Sequence, residues 1–343
     1  MVEHAIIMAG GAGMRLRPLT EERPKPLIPL LDEPVAGYAL KLLRRHGIRQ
    51  ATMTLHCMAD QVMQAFGDGA AYGVALRYQV EEEPRGTAGS VRDAAAGMTG
   101  TVLVLSGDGL TDCDLTAMYA YHKASGAKAS LVLARVEDPS PYGLCERAPD
   151  GRILRFVEKP EGAAAPALVN TGIYFLEREV LDRIPPDMPW DFGRDVFPPM
   201  AREGLGLYGF PMRGYWCDIG NPNAYARAQT DLLMGRVGLP IRGRRVGRAI
   251  LADDARVDQR AQLTGRCYVG PGAVISGGAT LGPGTVIGRG AQVGQGARIE
   301  HACLWENVRV DGGSILKHVV VMPRHGNSDL QRVAPYGMPF PQA

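Results

Sequence analysis

The sequence has little net charge, no long apolar run and no paired cysteines. Its 38 lysines and arginines nearly balance its 36 aspartates and glutamates, which leaves a formal net charge of +2 over 343 residues. Apart from residues 242–248, which we interpret as a solvated linker, there is no basic block, so nucleic acid is not an expected partner. With 45% apolar residues, the composition is that of a soluble globular protein of more than one domain, with no membrane partner.

The six cysteines form no C-x-x-C pair and show no metal-ligand spacing with histidine. This pattern favours free thiols in a reducing compartment over a disulfide framework or a zinc site. The first apolar strand is predicted to begin within a few residues of Met1, which leaves no room for a signal peptide. We therefore expect a cytoplasmic protein.

Residues 9–27, AGGAGMRLRPLTEERPKPL, are the most informative stretch. The apolar run before them, Ala5–Met8, predicts a buried strand that ends in a glycine-rich loop. Because glycine has no Cβ atom, the backbone N–H groups of such a loop can close around an anion. The sequence therefore predicts a phosphate-binding loop that contains Ala9, Gly10, Gly11 and Gly13.

Two cations follow this loop. Arg15 stands just after the last glycine, and Lys25 lies between two prolines that stiffen its segment. Each can neutralise charge on a nucleoside triphosphate. Two other phosphate-binding loops fit less well, because a Rossmann turn requires a glycine where Leu16 stands and a Walker A loop requires Gly-Lys-Ser/Thr after the glycines.

The pattern G-G-x-G-x-R-L followed by P-K-P resembles the signature of the sugar-1-phosphate nucleotidylyltransferases, the enzymes that make nucleotide sugars. Met14 stands where these enzymes often have a small hydroxyl residue. The resemblance implies transfer of a nucleotidyl group from a nucleoside triphosphate to a sugar 1-phosphate, with release of pyrophosphate. Arg15, Lys25 and Lys159 are then the expected catalytic cations.

Residues 1–235 are predicted to form the catalytic domain, with an α/β fold. Short apolar strands alternate there with helical stretches, which predicts a doubly wound, mostly parallel sheet with helices on both faces. Ligands bind such a domain at the carboxyl ends of the strands. The predicted strands are 5–8, 51–55, 75–78, 101–105, 128–134 and 172–175, and the predicted helices are 38–46, 59–66, 88–96, 115–124 and 223–234.

A different pattern follows a linker at residues 236–248. From Leu251 to Ile299 an aliphatic residue recurs at every sixth position, a period that suits a three-sided coil with one hexapeptide per side. Residues 249–320 resemble the short left-handed β-helix of hexapeptide-repeat proteins, and residues 321–343 are predicted to be a cap or tail. We expect the β-helix to serve packing or homo-oligomerisation.

Many hexapeptide-repeat proteins are acyltransferases, which is an alternative function for this segment. An acyltransferase would need a longer stack of coils and a catalytic histidine at a coil edge, for which His301, His318 and His325 are the candidates. The repeat is short, with three or so coils before Trp305 and Asp311 break its phase. A structural role is therefore favoured.

Two aspartates are the expected Mg²⁺ ligands. The apolar run 101–105 predicts a strand followed by Ser-Gly-Asp, which places Asp108 at the carboxyl edge of the sheet. The pattern W-x-D-x-G around Asp218 resembles the second metal-binding aspartate of the family. Mg²⁺ held by both carboxylates would bridge the α-phosphate and the sugar phosphate.

Three further elements resemble the family's sugar 1-phosphate site. In an E-K-P element, Lys159 is expected to hold the phosphate and Glu158 to accept hydrogen bonds from sugar hydroxyls. Asn170 and Thr171 belong to an N-T-G segment whose asparagine amide offers a donor and an acceptor to vicinal hydroxyls. Gly143 lets the backbone approach the sugar.

The nucleobase is predicted to lie against the segment around Glu81. One carboxylate can accept the two adjacent donors of guanine, N1–H and N2–H₂, whereas thymidylyl and uridylyl relatives usually have glutamine near this place. Gly86 and Thr87 begin a G-T-A-G segment that resembles the one in mannose-1-phosphate guanylyltransferases, whose bacterial members the chain resembles most. GTP and mannose 1-phosphate are therefore the expected substrates.

Two other functions stay open. One is a glucose-1-phosphate adenylyl-, uridylyl- or thymidylyltransferase, which differs in base and sugar alone. The other is a non-catalytic regulatory subunit that binds a nucleotide sugar, against which the joint presence of Arg15, Lys25, Asp108, Lys159 and Asp218 argues.

Overall fold

The computed structural model describes residues 2–162, 164–186, 188–324 and 327–333. The chain divides into two compact units. The first unit is built from Met1–Ala12, Arg23–Leu27 and Val35–Asp218, and the second from Gly13–Glu22, Ile28–Pro34 and Ile219–Ala343. None of the helices in the described ranges is long and apolar enough to cross a membrane. All six cysteines are free, and five of them are buried while Cys57 is half-buried.

Strands and helices alternate up to residue 233. In chain order they are β1 His4–Met8, β2 Pro29–Leu30, β3 Glu33–Pro34, α1 Val35–Arg45, β4 Gln50–Leu55, α2 Ala59–Phe66, β5 Ala75–Val80, α3 Gly86–Ala94, β6 Thr101–Ser106, β7 Gly109–Thr111, α4 Leu115–Ser125, β8 Ala129–Val136, β9 Gly143–Arg147, β10 Ile153–Glu158, β11 Ala167–Glu177, α5 Arg178–Leu181, α6 Phe197–Arg202, β12 Leu207–Pro211, β13 Trp216–Asp218 and α7 Pro222–Leu233. Turns of 3-10 helix cover Met14–Leu16, Lys25–Leu27 and Ala70–Tyr72, and a π-helical turn covers Phe192–Val196.

The first unit contains a nine-stranded sheet. Seven strands follow the order β10-β9-β11-β6-β1-β4-β5, while β8 pairs with β11 and β12 pairs with β8. Strands β6, β1, β4 and β5 are parallel to one another, and β11 runs antiparallel to β6 and β8. The predicted α/β fold with a mostly parallel sheet is confirmed.

Helices cover both faces of this sheet because successive residues of each central strand are apolar. Ile6 and Ile7 are adjacent in β1 and both are fully buried, yet they belong to different hydrophobic clusters. The cluster of Ile7 includes Leu40 of α1, Phe66 of α2 and Met118 of α4, and the cluster of Ile6 includes Val91 of α3, Val180 of α5 and Phe197 of α6. Burial of each such side chain contributes about 1.5–3 kcal/mol.

The parallel register places the ends of three strands at one edge of the sheet. Met8 of β1 pairs with Ser106 of β6 and with Thr54 of β4, so the loops after these strands begin side by side. A second, two-stranded sheet joins β7 to β13, with Asp218 opposite Gly109. This pairing brings the end of β13 next to the loop that follows β6.

Besides the two-stranded sheet of β2 and β3, the described residues of the second unit form three sheets of short strands. The strands are β14 Arg244–Val246, β15 Ala249–Leu251, β16 Arg256–Val257, β17 Gln262–Leu263, β18 Cys267–Val269, β19 Val274–Ile275, β20 Thr280–Leu281, β21 Thr285–Ile287, β22 Gln292–Val293, β23 Arg298–Glu300, β24 Cys303–Leu304, β25 Arg309–Val310, β26 Ile315–Lys317, β27 Val320–Arg324 and β28 Asn327–Val333. Their orders are β14-β15-β18-β21-β24-β27-β28, β16-β19-β22-β25 and β17-β20-β23-β26. Every third strand from β15 to β27 pairs in parallel, as expected for a short left-handed β-helix with one strand per side.

The predicted break in the repeat shortens two successive coils by one residue each without ending the stack. Val269 pairs with Ile287, eighteen positions later, whereas Ile287 pairs with Leu304, seventeen positions later. Leu304 then pairs with Val321, so parallel pairing continues beyond Trp305. Of the candidate acyltransferase histidines, His301 and His318 lie in this stack as a stacked ring pair 5.2 Å apart, and His325 lies outside the described residues.

Candidate active site

Lys25 lies between two carboxylates. It begins the 3-10 turn Lys25–Leu27, and only 9% of the residue is exposed. Its ammonium group donates a hydrogen bond to Oδ2 of Asp108, and Nζ lies 3.8 Å from Oδ1 of Asp218. Asp108 follows β6 and Asp218 ends β13, so the sheet edge and the short β7–β13 pair together bring these three predicted residues into one place.

The carboxyl group of Asp108 is held in its charged form. Burial opposes its ionisation, but the Lys25 ammonium and hydrogen bonds from Lys25 and Ser106 outweigh that effect, and the pKa of Asp108 is lowered from its ordinary value. The side chain is therefore a carboxylate at neutral pH, which is the form that can bind a cation.

The two aspartates are the residues that could hold a metal. No cluster of three or more histidine, cysteine, aspartate or glutamate side chains in the described part of the chain is arranged to hold an ion. Mg²⁺ does not require such a cluster, because it is commonly bound by one or two carboxylates and completes its octahedron with water and substrate phosphate oxygens. Asp108 and Asp218, which already converge on one cation, Lys25, fit that mode of binding.

A cavity of about 160 Å³ opens beside this group. It joins Asp108 and Asp218 to the predicted sugar-site residues. Its walls come from the ends of β6, β10 and β13, the start of β7, the start of β9 with the loop before it, and residues 170–172 within β11. The lining residues are Ser106, Asp108, Gly109, Pro141, Tyr142, Gly143, Glu158, Asn170, Thr171, Gly172, Trp216 and Asp218. Six residues predicted from sequence motifs thus surround one space.

The predicted sugar-site residues contribute in different ways. A Cβ at Gly143 would lie 2.4 Å from the Phe156 ring, so glycine is required there. The Asn170 side chain accepts from Gly172 N–H at 3.0 Å and donates to Tyr174 Oη at 2.9 Å, and that amide therefore has a fixed orientation. The Thr171 hydroxyl donates to the Val132 carbonyl, 2.9 Å away, which leaves the Thr171 backbone to face the cavity.

Glu158 and Lys159 are adjacent but differ in placement. Glu158 lines the cavity, whereas Lys159 is exposed, is not among the lining residues and has a left-handed backbone with φ 48°. Desolvation and the nearby Asp191 carboxylate raise the pKa of Glu158, against the opposing charges of Lys159 and Arg194. The Glu158 carboxylate, the predicted acceptor for sugar hydroxyls, thus lies where its negative charge is costly.

Glu81 has one oxygen bonded and one buried without a partner in the described structure. Its Oε2 accepts a hydrogen bond from Arg85 N–H at 3.3 Å, while Oε1 is buried and has no hydrogen-bond partner. A buried carboxylate oxygen without a donor is costly, and a ligand that supplies donors relieves this cost. Recognition of a base by a carboxylate requires an oxygen that can accept the donors of the base, and Oε1 of Glu81 is such an oxygen.

Gly86 and Thr87 begin α3 against a neighbouring loop. Gly86 has φ +69°, and a Cβ there would lie 2.4 Å from the Trp190 carbonyl oxygen, so a larger residue would displace the loop. The Thr87 hydroxyl donates to Asp191 Oδ2 at 2.8 Å and accepts from Phe192 N–H at 3.0 Å. These contacts fix the start of α3 to the π-helical turn that follows Asp191.

The predicted phosphate loop is divided between the two units. Ala9 and Gly10 extend β1 in the first unit, where Ala9 N–H donates to the Thr54 carbonyl at 3.0 Å. A Cβ at Gly11 would meet no atom within 4 Å, which leaves room there for a ligand. Gly13 and Arg15 belong to the second unit, where Gly13 has φ 63° at the start of a 3-10 turn that carries the exposed Arg15.

Asp191 and Gly193 are site residues that sequence analysis did not identify. Asp191 caps the π-helical turn by accepting from Gly193 N–H at 2.9 Å, and a Cβ at Gly193 would lie 2.5 Å from Oε2 of Glu158. The available signal was an aspartate two residues before a glycine, which is typical of a cap but does not indicate a π-helical turn. Tyr142 and Trp216, whose rings meet edge to face at 5.2 Å, complete the wall of the cavity.

Comparison with known families agrees with this geometry. The family described as nucleotidyl transferase matches residues 4–235, and the family described as GMPPB C-terminal domain matches residues 263–333.

Individual relatives carry related names. The chain is 33% identical to mannose-1-phosphate guanylyltransferase of Mycobacterium tuberculosis over 316 residues, which is 91% of this chain and 82% of that protein. It is 36% identical to UTP–glucose-1-phosphate uridylyltransferase of Synechocystis over 244 residues, or 67% of this chain and 63% of that protein.

Solved structures share the fold over about two thirds of the chain. The crystal structure of HddC from Yersinia pseudotuberculosis superposes with a TM-score of 0.60 at 23% identity, over 67% of this chain and 100% of that one. The same protein complexed with GMP-PN gives a TM-score of 0.59 at 22% identity. At this identity the likeness concerns the fold alone.

Proposed function

Since this chain belongs to the nucleotidyl transferase family, we propose that it transfers a guanylyl group from GTP to mannose 1-phosphate, with Mg²⁺ as the metal. A phosphate oxygen of the sugar 1-phosphate attacks the α-phosphorus of the nucleotide, and the bond from that phosphorus to pyrophosphate breaks. The products are GDP-mannose and pyrophosphate. The nucleophile is already ionised, so no general base is needed.

The observation that carries the proposal is the meeting of Lys25, Asp108 and Asp218 beside the cavity that Glu158 lines. Nucleotidyl transfer places charge on the α-phosphate and on both neighbouring groups, and the protein's main contribution is to position and neutralise them. The Lys25 ammonium is suited to the α-phosphate and the incoming phosphate. A metal on the two aspartates, when bound, supplies further charge neutralisation to the same oxygens.

The other two predicted cations, Arg15 and Lys159, are proposed to neutralise the leaving group and the nucleophile. Arg15 is assigned to the charge that builds on pyrophosphate, and Lys159 to the sugar phosphate. The family motifs that contain these residues support the assignment, as does the exposure of both side chains.

The sugar is proposed to occupy the cavity beside Lys25. Glu158 accepts hydrogen bonds from its hydroxyls, Asn170 orients vicinal hydroxyls, and the Gly143 and Thr171 backbones line its faces. The cavity volume of about 160 Å³ and the polar residues that line the cavity support the binding of a hexose that carries a negatively charged phosphate.

The base is proposed to bind at Glu81, Gly86 and Thr87. The buried Oε1 of Glu81 has no donor in the described structure, and guanine brings two donors on one edge, which a carboxylate can accept together. The phosphates then lie along Ala9, Gly10, Gly11 and Gly13. Glucose 1-phosphate with UTP is the second candidate pair, because a relative of similar identity is named for it.

We also propose a homo-oligomer that associates through the β-helix, and a cytoplasmic location. The β-helix presents sheet edges at β16 and β17, where the first coil has no preceding strand, and association is one way to cover such edges. The boundaries proposed for the catalytic domain and the β-helix are 1–235 and 249–320, with a linker at 236–248 and a cap or tail at 321–343.

The test is a matrix assay of pyrophosphate release. GTP, ATP, UTP and dTTP are each combined with mannose 1-phosphate or glucose 1-phosphate, with Mg²⁺ present or removed by a chelator. The GTP and mannose 1-phosphate pair should give the highest kcat/KM, and the chelator should stop turnover. Highest activity with UTP and glucose 1-phosphate would assign the alternative substrates, and no pyrophosphate from any pair would overturn the proposed reaction.

A further inference from the structure

Four side chains form a buried polar cluster in the second unit. Tyr225 and Gln229 stand one turn apart on α7, and Trp305 and Cys303 come from the β-helix around β24; between 0% and 6% of each residue is exposed. Trp305 Nε1–H and Gln229 Nε2–H donate to Tyr225 Oη at 2.9 and 2.7 Å, and Cys303 Sγ lies 3.6 Å from the same oxygen. We call this group the Tyr225 cluster.

The Tyr225 cluster binds the backbone of β2 and the residue after it. Tyr225 Oη donates to the Pro29 carbonyl at 2.8 Å, and Gln229 Nε2–H donates to the same carbonyl at 3.0 Å. Gln229 Oε1 accepts from Leu31 N–H at 2.7 Å. Both side chains therefore bind this segment in one backbone conformation. In it, the Pro29 carbonyl and the Leu31 N–H both face α7.

That conformation is strained. Leu31 is buried and has φ 56°, in the left-handed region that residues with a side chain rarely adopt. Such residues persist only where the surroundings determine their backbone. The hydrogen bond from Leu31 N–H to Gln229 supplies that constraint, and Leu31 would relax if the bond were lost.

The β-helix approaches the same turn at a second point. Burial and the nearby carboxylates of Asp32 and Glu33 raise the pKa of Tyr268, which lies in β18. Tyr268 therefore lies close to the turn between β2 and β3, which α7 binds through Tyr225 and Gln229.

The turn between β2 and β3 lies only a few residues after Lys25 in the chain. Ile28 directly follows the Lys25–Leu27 turn, and the strained Leu31 lies three residues further on. Buried polar groups that are fully bonded define one structure, because breaking any bond leaves a group without a partner. The backbone that leaves Lys25 is therefore anchored by the Tyr225 cluster within a few residues.

We propose that Tyr225 and Gln229 are positioning residues for nucleotidyl transfer. Trp305 and Cys303 of the β-helix contribute by holding these two side chains in place. The inference rests on the proposed function. The β-helix then has a catalytic consequence that neither its short stack nor its hexapeptide repeat suggests, since its contacts with α7 support the backbone that directly follows the Lys25–Leu27 turn.

Tyr225→Phe is the main test, because it removes one hydroxyl and keeps the ring. It removes the acceptor of Trp305 Nε1–H in this cluster, and it leaves the Pro29 carbonyl with the hydrogen bond from Gln229 but without the one from Tyr225. Thr230→Val is the matched control, since Thr230 is also buried on α7 and its hydroxyl donates within the helix to the Ala226 carbonyl at 2.9 Å. Trp305→Phe and Gln229→Met are independent variants should Tyr225→Phe fail to fold.

Two measurements on the full chain decide the matter. Hydrogen exchange of the peptide that covers residues 28–34 reports the anchoring without any need for activity, and steady-state kinetics separates kcat from KM. Tyr225→Phe should exchange faster at 28–34 and lose about tenfold in kcat with KM changed less than twofold, because a misplaced group costs transition-state stabilisation more than ground-state binding. Thr230→Val should match the parent in both.

Unchanged exchange at 28–34 in Tyr225→Phe, or faster exchange with unchanged kcat, would overturn the positioning role. An equal loss of kcat in Thr230→Val would also overturn it, since the effect would then be one of general destabilisation. A parent protein without turnover on any nucleotide and sugar phosphate would instead overturn the proposed function, so the two failures are distinct.

Discussion

The Lys25 ammonium bridges Asp108, which follows the sixth strand, and Asp218, which ends the thirteenth; its nitrogen lies 3.8 Å from Oδ1 of Asp218. One buried cation therefore holds together two carboxylates that the chain separates widely. Without a cation between them, the two negative charges would repel each other in a partly buried place.

Lys25→Met should lower kcat/KM by about 10²- to 10³-fold, because it removes a charge aimed at the reacting phosphate. The measurement is pyrophosphate release at saturating Mg²⁺. Lys128→Met is the control, since Lys128 is half exposed in an ion pair with Glu179 on the surface. Activity within a factor of two of the parent in Lys25→Met would contradict the assignment.

Asp218→Asn should raise the half-saturating Mg²⁺ concentration on the order of tenfold or more and lower kcat, because a neutral amide binds Mg²⁺ far less well than a carboxylate. A Mg²⁺ titration of activity at fixed substrate measures both effects, and circular dichroism verifies the fold. Asp60→Asn, a change at an exposed position of α2, should leave the titration curve unchanged. An unaltered curve in Asp218→Asn would show that this carboxylate is not a ligand.

Glu81→Gln should lower kcat/KM for GTP by about 10- to 100-fold, the cost of losing a charged hydrogen-bond acceptor in a buried site. Activity with UTP should fall less, because uracil offers the amide one donor and two acceptors. The neighbouring Glu82 is exposed, so Glu82→Gln should leave the preference for GTP intact. An equal loss with both nucleotides would remove Glu81 from base recognition.

Glu158→Gln should stabilise the protein at neutral pH and have little effect in acid. The folded-state pKa of Glu158 is raised above its ordinary value, so folding favours the protonated form. Below the ordinary pKa the group is neutral in both states and carries no pH-dependent penalty; as pH rises through the raised pKa, the penalty for the buried charge grows to its full size. Melting temperatures of parent and variant at pH 4 and pH 8 measure this, and a smaller difference at pH 8 would contradict the burial argument.

The same variant should bind sugar phosphate less tightly. Glutamine keeps one acceptor but loses the charge and places a donor at the other atom. A raised KM for the sugar phosphate together with a higher melting temperature would show that the site is kept at a cost to stability.

Sequence reasoning predicts the parts of the fold that local patterns determine. The apolar run at residues 5–8 becomes β1, and the run at 101–105 becomes the core of β6, with Asp108 just beyond it. The six-residue period predicts the β-helix because each aliphatic residue occupies an equivalent interior position, as Leu281, Ile287 and Val293 do with 0–1% exposure.

Features that depend on tertiary contacts could not be predicted in this way. The direction of the Thr171 hydroxyl follows from the neighbouring strand and not from its motif. The π-helical turn after Asp191 is stabilised by Thr87, more than a hundred residues earlier. Likewise, the N–H of Leu31, whose backbone is left-handed, donates to Gln229, a residue far away in the sequence.

The cysteines differ in reactivity, which allows the protein to be labelled at one position. Burial raises the pKa of Cys113, Cys267 and Cys303 to about 12, which keeps these thiols protonated and unreactive. Cys57 is the half-buried one, and it directly follows His56, whose Nδ1 lies 3.0 Å from the Glu81 carbonyl. A maleimide fluorophore added to the native protein should therefore attach at this single position, close to the segment proposed to recognise the base, and report nucleotide binding as a change in emission.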